Sequence, residues 1–127
     1  MNILKKIIIP FVLIIVLLYT ILSMYITNIA FQPKRNIFEE TPDLYSMNYT
    51  NVSFKSDDSR DINLNGWWIE NEKNTGTIIW VHGLDSERSG GEGKLEMIKE
   101  IYNLGYSILT FDLRGHGNSS DAPLGLG

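Results

Sequence analysis

Hydrophobicity is distributed in two unlike ways along this chain. From Ile7 to Gln32 there is no charged side chain, and leucine, isoleucine and valine dominate the centre from Phe11 to Leu22. A bilayer core of ~30 Å is spanned by ~20 helical residues, and Ile7 to Ile26 fits that length. Pro10 falls in the first turn of such a helix, where a missing N–H costs little. Tyr19 and Tyr25 have the amphipathic rings that suit a membrane interface. Residues 1–31 therefore read as an N-terminal transmembrane anchor that meets the lipid bilayer through residues 7–26. Two other readings stay open. A cleaved signal peptide has an apolar stretch of ~7–15 residues, shorter than this one, and Ala30 has Asn28 rather than a small residue two positions before it. A core helix apolar all round would need a large domain about it. Lys5 and Lys6 favour a cytoplasmic N-terminus, although Lys34 and Arg35 at the other end weaken the bias. The expectation is a single-pass protein of the cell membrane with its soluble part outside.

Beyond the anchor the pattern shortens. Residues 32–46 are polar, contain Pro33 and Pro42, and read as a linker; residues 47–127 are left for one small domain. Val52 and Phe54 alternate with Asn51 and Ser53, which predicts a strand from Tyr49 to Lys55. Ser56-Asp57-Asp58-Ser59 is turn chemistry. Ile62, Leu64, Gly66 and Trp68 share one face of a second strand running to Glu70, so a hairpin is expected. A second turn covers Asn71 to Gly76. Thr77 to Val81 is a continuous apolar run, the mark of a strand covered on both faces. Leu95, Ile98, Ile101 and Tyr102 fall on one face of a helix over Glu92 to Leu104, with Gly105 placed to end it. Ser107 to Phe111 is a further apolar strand. Strand, helix and strand of this length form a βαβ unit with a parallel pair.

Composition narrows the chemistry. The net charge is -4, which disfavours sequence-independent nucleic-acid binding. There is no cysteine and there are two histidines, so neither a disulfide framework, a cysteine nucleophile nor a structural metal site is expected. Arg88-Ser89-Gly90-Gly91-Glu92-Gly93-Lys94-Leu95 imitates a phosphate loop. It has Arg for the first Gly and Leu for the final Ser/Thr, and reads as a flexible lead-in to the helix. Glu92, Glu96 and Glu100 form a solvated helix face, and Trp67, Trp68 and Trp80 read as packing residues.

His82-Gly83-Leu84 ends the first apolar strand. Asp112-Leu113-Arg114-Gly115-His116-Gly117-Asn118-Ser119 ends the second. In this order, after a hairpin and with Gly105-Tyr106-Ser107 between them, these residues resemble the N-terminal part of the α/β-hydrolase fold from about Met47 onward. They are most similar to the membrane-anchored bacterial branch related to serine aminopeptidases and BEM46-like hydrolases. The fold class expected is α/β: an antiparallel hairpin plus a βαβ unit, preceded by one transmembrane helix. The resemblance implies a serine hydrolase acting on ester, amide or similar acyl bonds, with a small acyl substrate in the full-length parent and no cofactor.

The resemblance also assigns residues. It puts the backbone N–H of Leu84 in the oxyanion hole, with His82 and Gly83 shaping the turn; glycine bends there at little steric cost. It makes Asp112, Arg114, Gly115, His116, Gly117 and Ser119 a structural turn. Gly115 and Gly117 are expected at positive φ, with Arg114 and Asp112 paired or bonded to loop backbone. Asp112, His116 and Ser119 are too close along one turn to act as orienter, base and nucleophile. The nucleophile belongs in Gly-Xaa-Ser-Xaa-Gly, which these residues do not contain; Gly117-Asn118-Ser119-Ser120-Asp121 comes nearest, with Asp where the last Gly should be. The triad is thus absent, and the chain reads as a family member truncated before its nucleophile. The alternative is a non-catalytic membrane protein, an interaction module or an inactive fragment. In the family the nucleophile's strand lies beside Thr77 to Val81. That strand is therefore expected here as an exposed apolar edge, and the isolated soluble part as unstable or aggregating.

Overall fold

The computed structural model describes residues 3–30, 32, 35–36, 39–57, 61–73 and 75–122. Phe31, Pro33, Lys34, Asp58, Ser59 and Asn74, on which parts of the anchor, linker and turn expectations fall, lie outside the described residues. The chain divides into two compact units, Met1–Gln32 and Pro33–Gly127.

The first unit is one helix, α1 (Ile3–Ala30). Its stretch Lys6–Ala30 has 25 residues, about 37 Å at ~1.5 Å per residue. It is long and apolar enough to cross a membrane. Pro10 sits inside the helix, not in its first turn as expected, because the helix extends back through Lys5 and Lys6.

The second unit is a four-stranded mixed sheet in the order β1-β2-β4-β3. Its strands are β1 (Tyr49–Lys55), β2 (Asn63–Ile69), β3 (Gly76–Val81) and β4 (Tyr106–Phe111), with helix α2 (Lys94–Asn103) between the last two. β1 and β2 form the expected antiparallel hairpin, β2 and β4 pair antiparallel, and β3 and β4 run parallel. Gly105, at φ 98, ends α2, and its N–H donates to the Tyr102 carbonyl.

Residues paired in register share a face of the sheet. One face carries Tyr49, Trp67, Ile69, Ile108 and Trp80. Leu95 and Ile98 of α2, both fully buried, close over it, with Met47 alongside. Shortening Ile98 to valine is expected to lower stability by about 1 kcal/mol, measured by denaturant unfolding of the full chain in micelles. Leu64, Gly66 and Trp68 do share a face, but it is the opposite one; the core side of β2 is Trp67 and Ile69. β3 lies at the sheet's edge, as expected. It departs from the expected covering on both faces: Ile79 and Val81 are 61% and 54% exposed, so the apolar run is covered on one face among the described residues. Continuous hydrophobicity marks a strand made for two covered faces; it does not supply the second cover.

The expected linker is also partly built into the domain. Pro42–Tyr45 forms a 3-10 turn, Pro42 is buried, and Tyr45 packs against the core. The apolar sides of Pro42 and Tyr45 explain this; the stretch was read by its polar majority.

Candidate functional site

Two turns leave the C-terminal ends of the parallel strands side by side. The first, His82-Gly83-Leu84, follows β3. His82 is 5% exposed and Leu84 is 69% exposed. Its left-handed residue is Asp85, at φ 58, and not Gly83. A Cβ added at Gly83 would meet no atom within 4 Å. This corrects the reason expected for the glycine: neither a positive φ nor a close neighbour requires it, and what it leaves is open space beside the Leu84 amide.

The second turn, after β4, is held by Asp112. This side chain is fully buried. Its Oδ1 accepts the Arg88 N–H at 2.7 Å and its Oδ2 accepts the Asn118 N–H at 2.9 Å. The Arg88 guanidinium Nε lies 3.3 Å from Oδ2 and stacks over Trp67 at 4.9 Å. The carboxylate is thus bonded to loop backbone, one of the two expected arrangements, and it also pairs with the Arg88 guanidinium, which the sequence did not suggest. The carbonyl of Arg114 accepts from His116 Nδ1 at 3.0 Å. Gly115 and Gly117 have φ of 74 and 43, as anticipated. A Cβ at Gly117 would come within 2.4 Å of the Asp112 carboxyl, so the second glycine is needed for room as well as for conformation. The Ser119 hydroxyl donates to the Asp112 carbonyl at 2.7 Å and accepts the Asn65 N–H at 2.9 Å. Asp112, His116 and Ser119 each bond to backbone, and no side-chain relay joins them among the described residues. His116 Nε2 is buried without a hydrogen-bond partner among the described residues.

His82 joins the two turns. Its Nε2 accepts the Leu113 N–H at 2.9 Å, which leaves the proton on Nδ1, facing the Gly83 carbonyl at 2.8 Å. The imidazole is therefore neutral and in one tautomer. Burial pushes its pKa below the ordinary histidine value; the nearby His116 pushes the same way, while the Gly83 carbonyl and Asp112 oppose. An unfolded chain binds this proton at a higher pH than the folded one. The stability His82 contributes is therefore complete above the ordinary value of about 6.5 and falls as pH drops from there toward the lowered folded value. Unfolding curves of the full chain across that window should flatten in pH when His82 is replaced by asparagine.

Several participants were not legible in the sequence. Glu87, Arg88 and Ser89 are buried, so the stretch read as a flexible lead-in is fixed at its start by Asp112 and by the Ser89 N–H and hydroxyl donating to Glu87. Burial raises the Glu87 pKa, partly offset by those Ser89 bonds. Arg35 donates to the carbonyls of Gly117 and Ser119 and pairs with Asp121, and Asn36 donates to the Asp85 carbonyl. An alternation of charge and glycine gave no sign that Glu87, Arg88 and Ser89 turn inward. A cavity of about 400 Å³ borders Trp67, Glu87, Arg88, Asp112 and Asn118, but its lining does not include Leu84. No cluster of metal-ligating side chains occurs among the described residues.

This arrangement was compared with known proteins. No family model matches the chain. Over 58 residues it is 38% identical to the lysophosphatidylserine lipase ABHD12 of Mus musculus, covering 44% of this chain and 14% of that protein. The Danio rerio lipase of the same name is 39% identical over 46 residues, covering 36% of this chain and 12% of that protein. The chain thus matches a small fraction of the length of these curated relatives. Among solved structures, the Pyrococcus furiosus esterase Pf2001 superposes with a TM-score of 0.67 at 32% identity, covering 76% of this chain and 36% of the esterase. An α/β hydrolase, GrgF from Penicillium sp. sh18, superposes with a TM-score of 0.52 at 22% identity, over 61% of this chain and 25% of its own, a likeness of fold alone. With the strand order β1-β2-β4-β3 and its two strand-end turns, these likenesses make the chain a member of the α/β-hydrolase superfamily, carrying the N-terminal part of that fold.

Proposed function

We propose that this chain supplies the oxyanion side of a membrane-tethered serine hydrolase that cleaves ester, amide or similar acyl bonds. The observation that carries this reading is the His82–Leu84 turn. It leaves the C-terminal end of β3, is bonded to the neighbouring turn, and stands at the open edge of the sheet. Acyl transfer places negative charge on the carbonyl oxygen, and an N–H fixed in advance stabilises that charge most. The Leu84 N–H is one such donor, with open space above Gly83 for the acyl group. The second donor in this fold follows the nucleophile. No residue of this sequence stands in Gly-Xaa-Ser-Xaa-Gly. In this reading the serine, its base and the orienting acid lie on polypeptide that pairs along the free edge of β3. α1 would hold the domain at a membrane with Lys5 and Lys6 on the cytoplasmic side, which suits an acyl ester of lipid type, as the named lipases among its relatives suggest. No cofactor enters the scheme.

The test is a chimera. Residues 47–122 replace the matching N-terminal third of the Pyrococcus furiosus esterase, and hydrolysis of p-nitrophenyl acetate is measured. Retained turnover supports the proposal; a folded chimera without turnover defeats it. In parallel, the 127-residue chain alone is treated with a fluorophosphonate probe and is expected to remain unlabelled. Covalent labelling there would put the nucleophile within this chain and overturn its assignment elsewhere.

A further inference from the structure

The geometry points to His82 as a positioning residue that aims the Leu84 N–H through the Gly83 carbonyl. This inference rests on the reading of Leu84 as an oxyanion donor and adds to it the part that sets the donor's direction. The Gly83–Leu84 peptide is planar and trans, so its C=O and N–H point in opposite directions. Fixing the carbonyl therefore fixes the N–H. His82 Nδ1–H lies 2.8 Å from that carbonyl. A Cβ added at Gly83 would meet no atom of a non-adjacent residue within 4 Å, and Leu84 is largely exposed, so packing on that side does little to hold this peptide plane. The imidazole is in turn held by the Leu113 N–H at Nε2. A proton at Nε2 would remove that acceptor, so the Leu113 amide selects the tautomer that can donate to Gly83. Leu113 is placed by its neighbour Asp112, which collects N–H donors from Arg88 and Asn118. The order of dependence runs from the buried carboxylate to the Leu113 amide, to the imidazole, to the Gly83 carbonyl, and so to the Leu84 N–H. The glycine-rich turn after β4 thereby acquires a task at the neighbouring strand end that its own side chains do not perform.

The experiment is solution NMR of the full 127-residue chain in nanodiscs. In the unaltered chain, scalar coupling across the N–H···N bond is expected between the Leu113 amide and His82 Nε2, with Nδ1 protonated. His82→Asn keeps an amide donor near the Nδ1 position, and His82→Gln keeps an acceptor near the Nε2 position. The Leu84 amide resonance should stay near its unaltered position in His82→Asn and move in His82→Gln; the Leu113 amide should do the reverse. Absence of the Leu113–His82 coupling overturns the proposal without any variant having to fold. So does a Leu84 amide that responds equally to both replacements, since a merely structural histidine would produce that result. Failure of the oxyanion reading shows elsewhere: the esterase chimera carrying Leu84→Pro, which lacks the N–H, would then retain full turnover instead of losing on the order of 10²-fold or more.

Discussion

Replacing Asp112 by alanine is expected to cost the sheet unit about 3–5 kcal/mol, the usual penalty for breaking a buried pair from one side. The carboxylate is fully buried and satisfies two backbone N–H groups and the Arg88 guanidinium. Alanine would leave all three donors without an acceptor, and Arg88, itself 8% exposed, would keep its charge against the Trp67 ring and the neighbouring Glu87 without its hydrogen-bonded counter-ion. Small domains are stable by only ~5–15 kcal/mol, so a loss of this size approaches global unfolding. Asp112→Asn should cost less. Its carbonyl oxygen still serves one N–H, but its NH₂ meets the other donor, and the charge on Arg88 goes unbalanced. Denaturant unfolding of the full chain in micelles, followed by tryptophan fluorescence, reads the effect. A midpoint for Asp112→Ala indistinguishable from the parent would show that the carboxylate does not hold the turn.

The second large effect belongs to Gly66. A Cβ there would lie 2.3 Å from the Thr110 carbonyl oxygen and 2.7 Å from the Phe111 Cβ. Both neighbours belong to β4, paired with β2 at this residue. A flexible side-chain end could move aside; a strand backbone cannot do so without breaking its own pairing. Gly66→Ala is expected to part β2 from β4, costing about 3 kcal/mol, at the upper end of ordinary overpacking. Amide hydrogen exchange should quicken across both strands and leave the β3–β4 pairing less affected. Gly83→Ala is the control. Its Cβ enters open space, so stability should stay within about 0.5 kcal/mol of the parent. Equal loss in both variants would mean that missing side-chain volume at β2 is not what the fold requires.

The sequence made most elements legible because each announces itself locally. β1 was expected over the same residues it occupies, Tyr49–Lys55, from alternation alone, and α2 from the spacing of Leu95, Ile98, Ile101 and Tyr102. Gly105 was legible because a helix end needs a left-handed residue. Other features were illegible for a common reason. The core side of β2, the burial of Glu87 and Arg88, and the seating of Pro42 depend on which partner arrives, and partners are distant in sequence. Asp112 illustrates this. Its neighbourhood in the chain offered Arg114 as a counter-ion, while the fold delivered Arg88 from the preceding strand's loop.

By itself, then, the sequence determined the apolar N-terminal helix, the hairpin, the parallel strand pair with its helix, and the two strand-end turns by which the family is known. These follow from periodicity and turn chemistry, which act over a few residues. Only the tertiary structure decided that His82 is neutral, that it spans from one turn to the other, and that Gly83 leaves space instead of relieving strain. Those depend on directions of N–H and C=O groups in three dimensions, which a linear pattern of residue types does not encode.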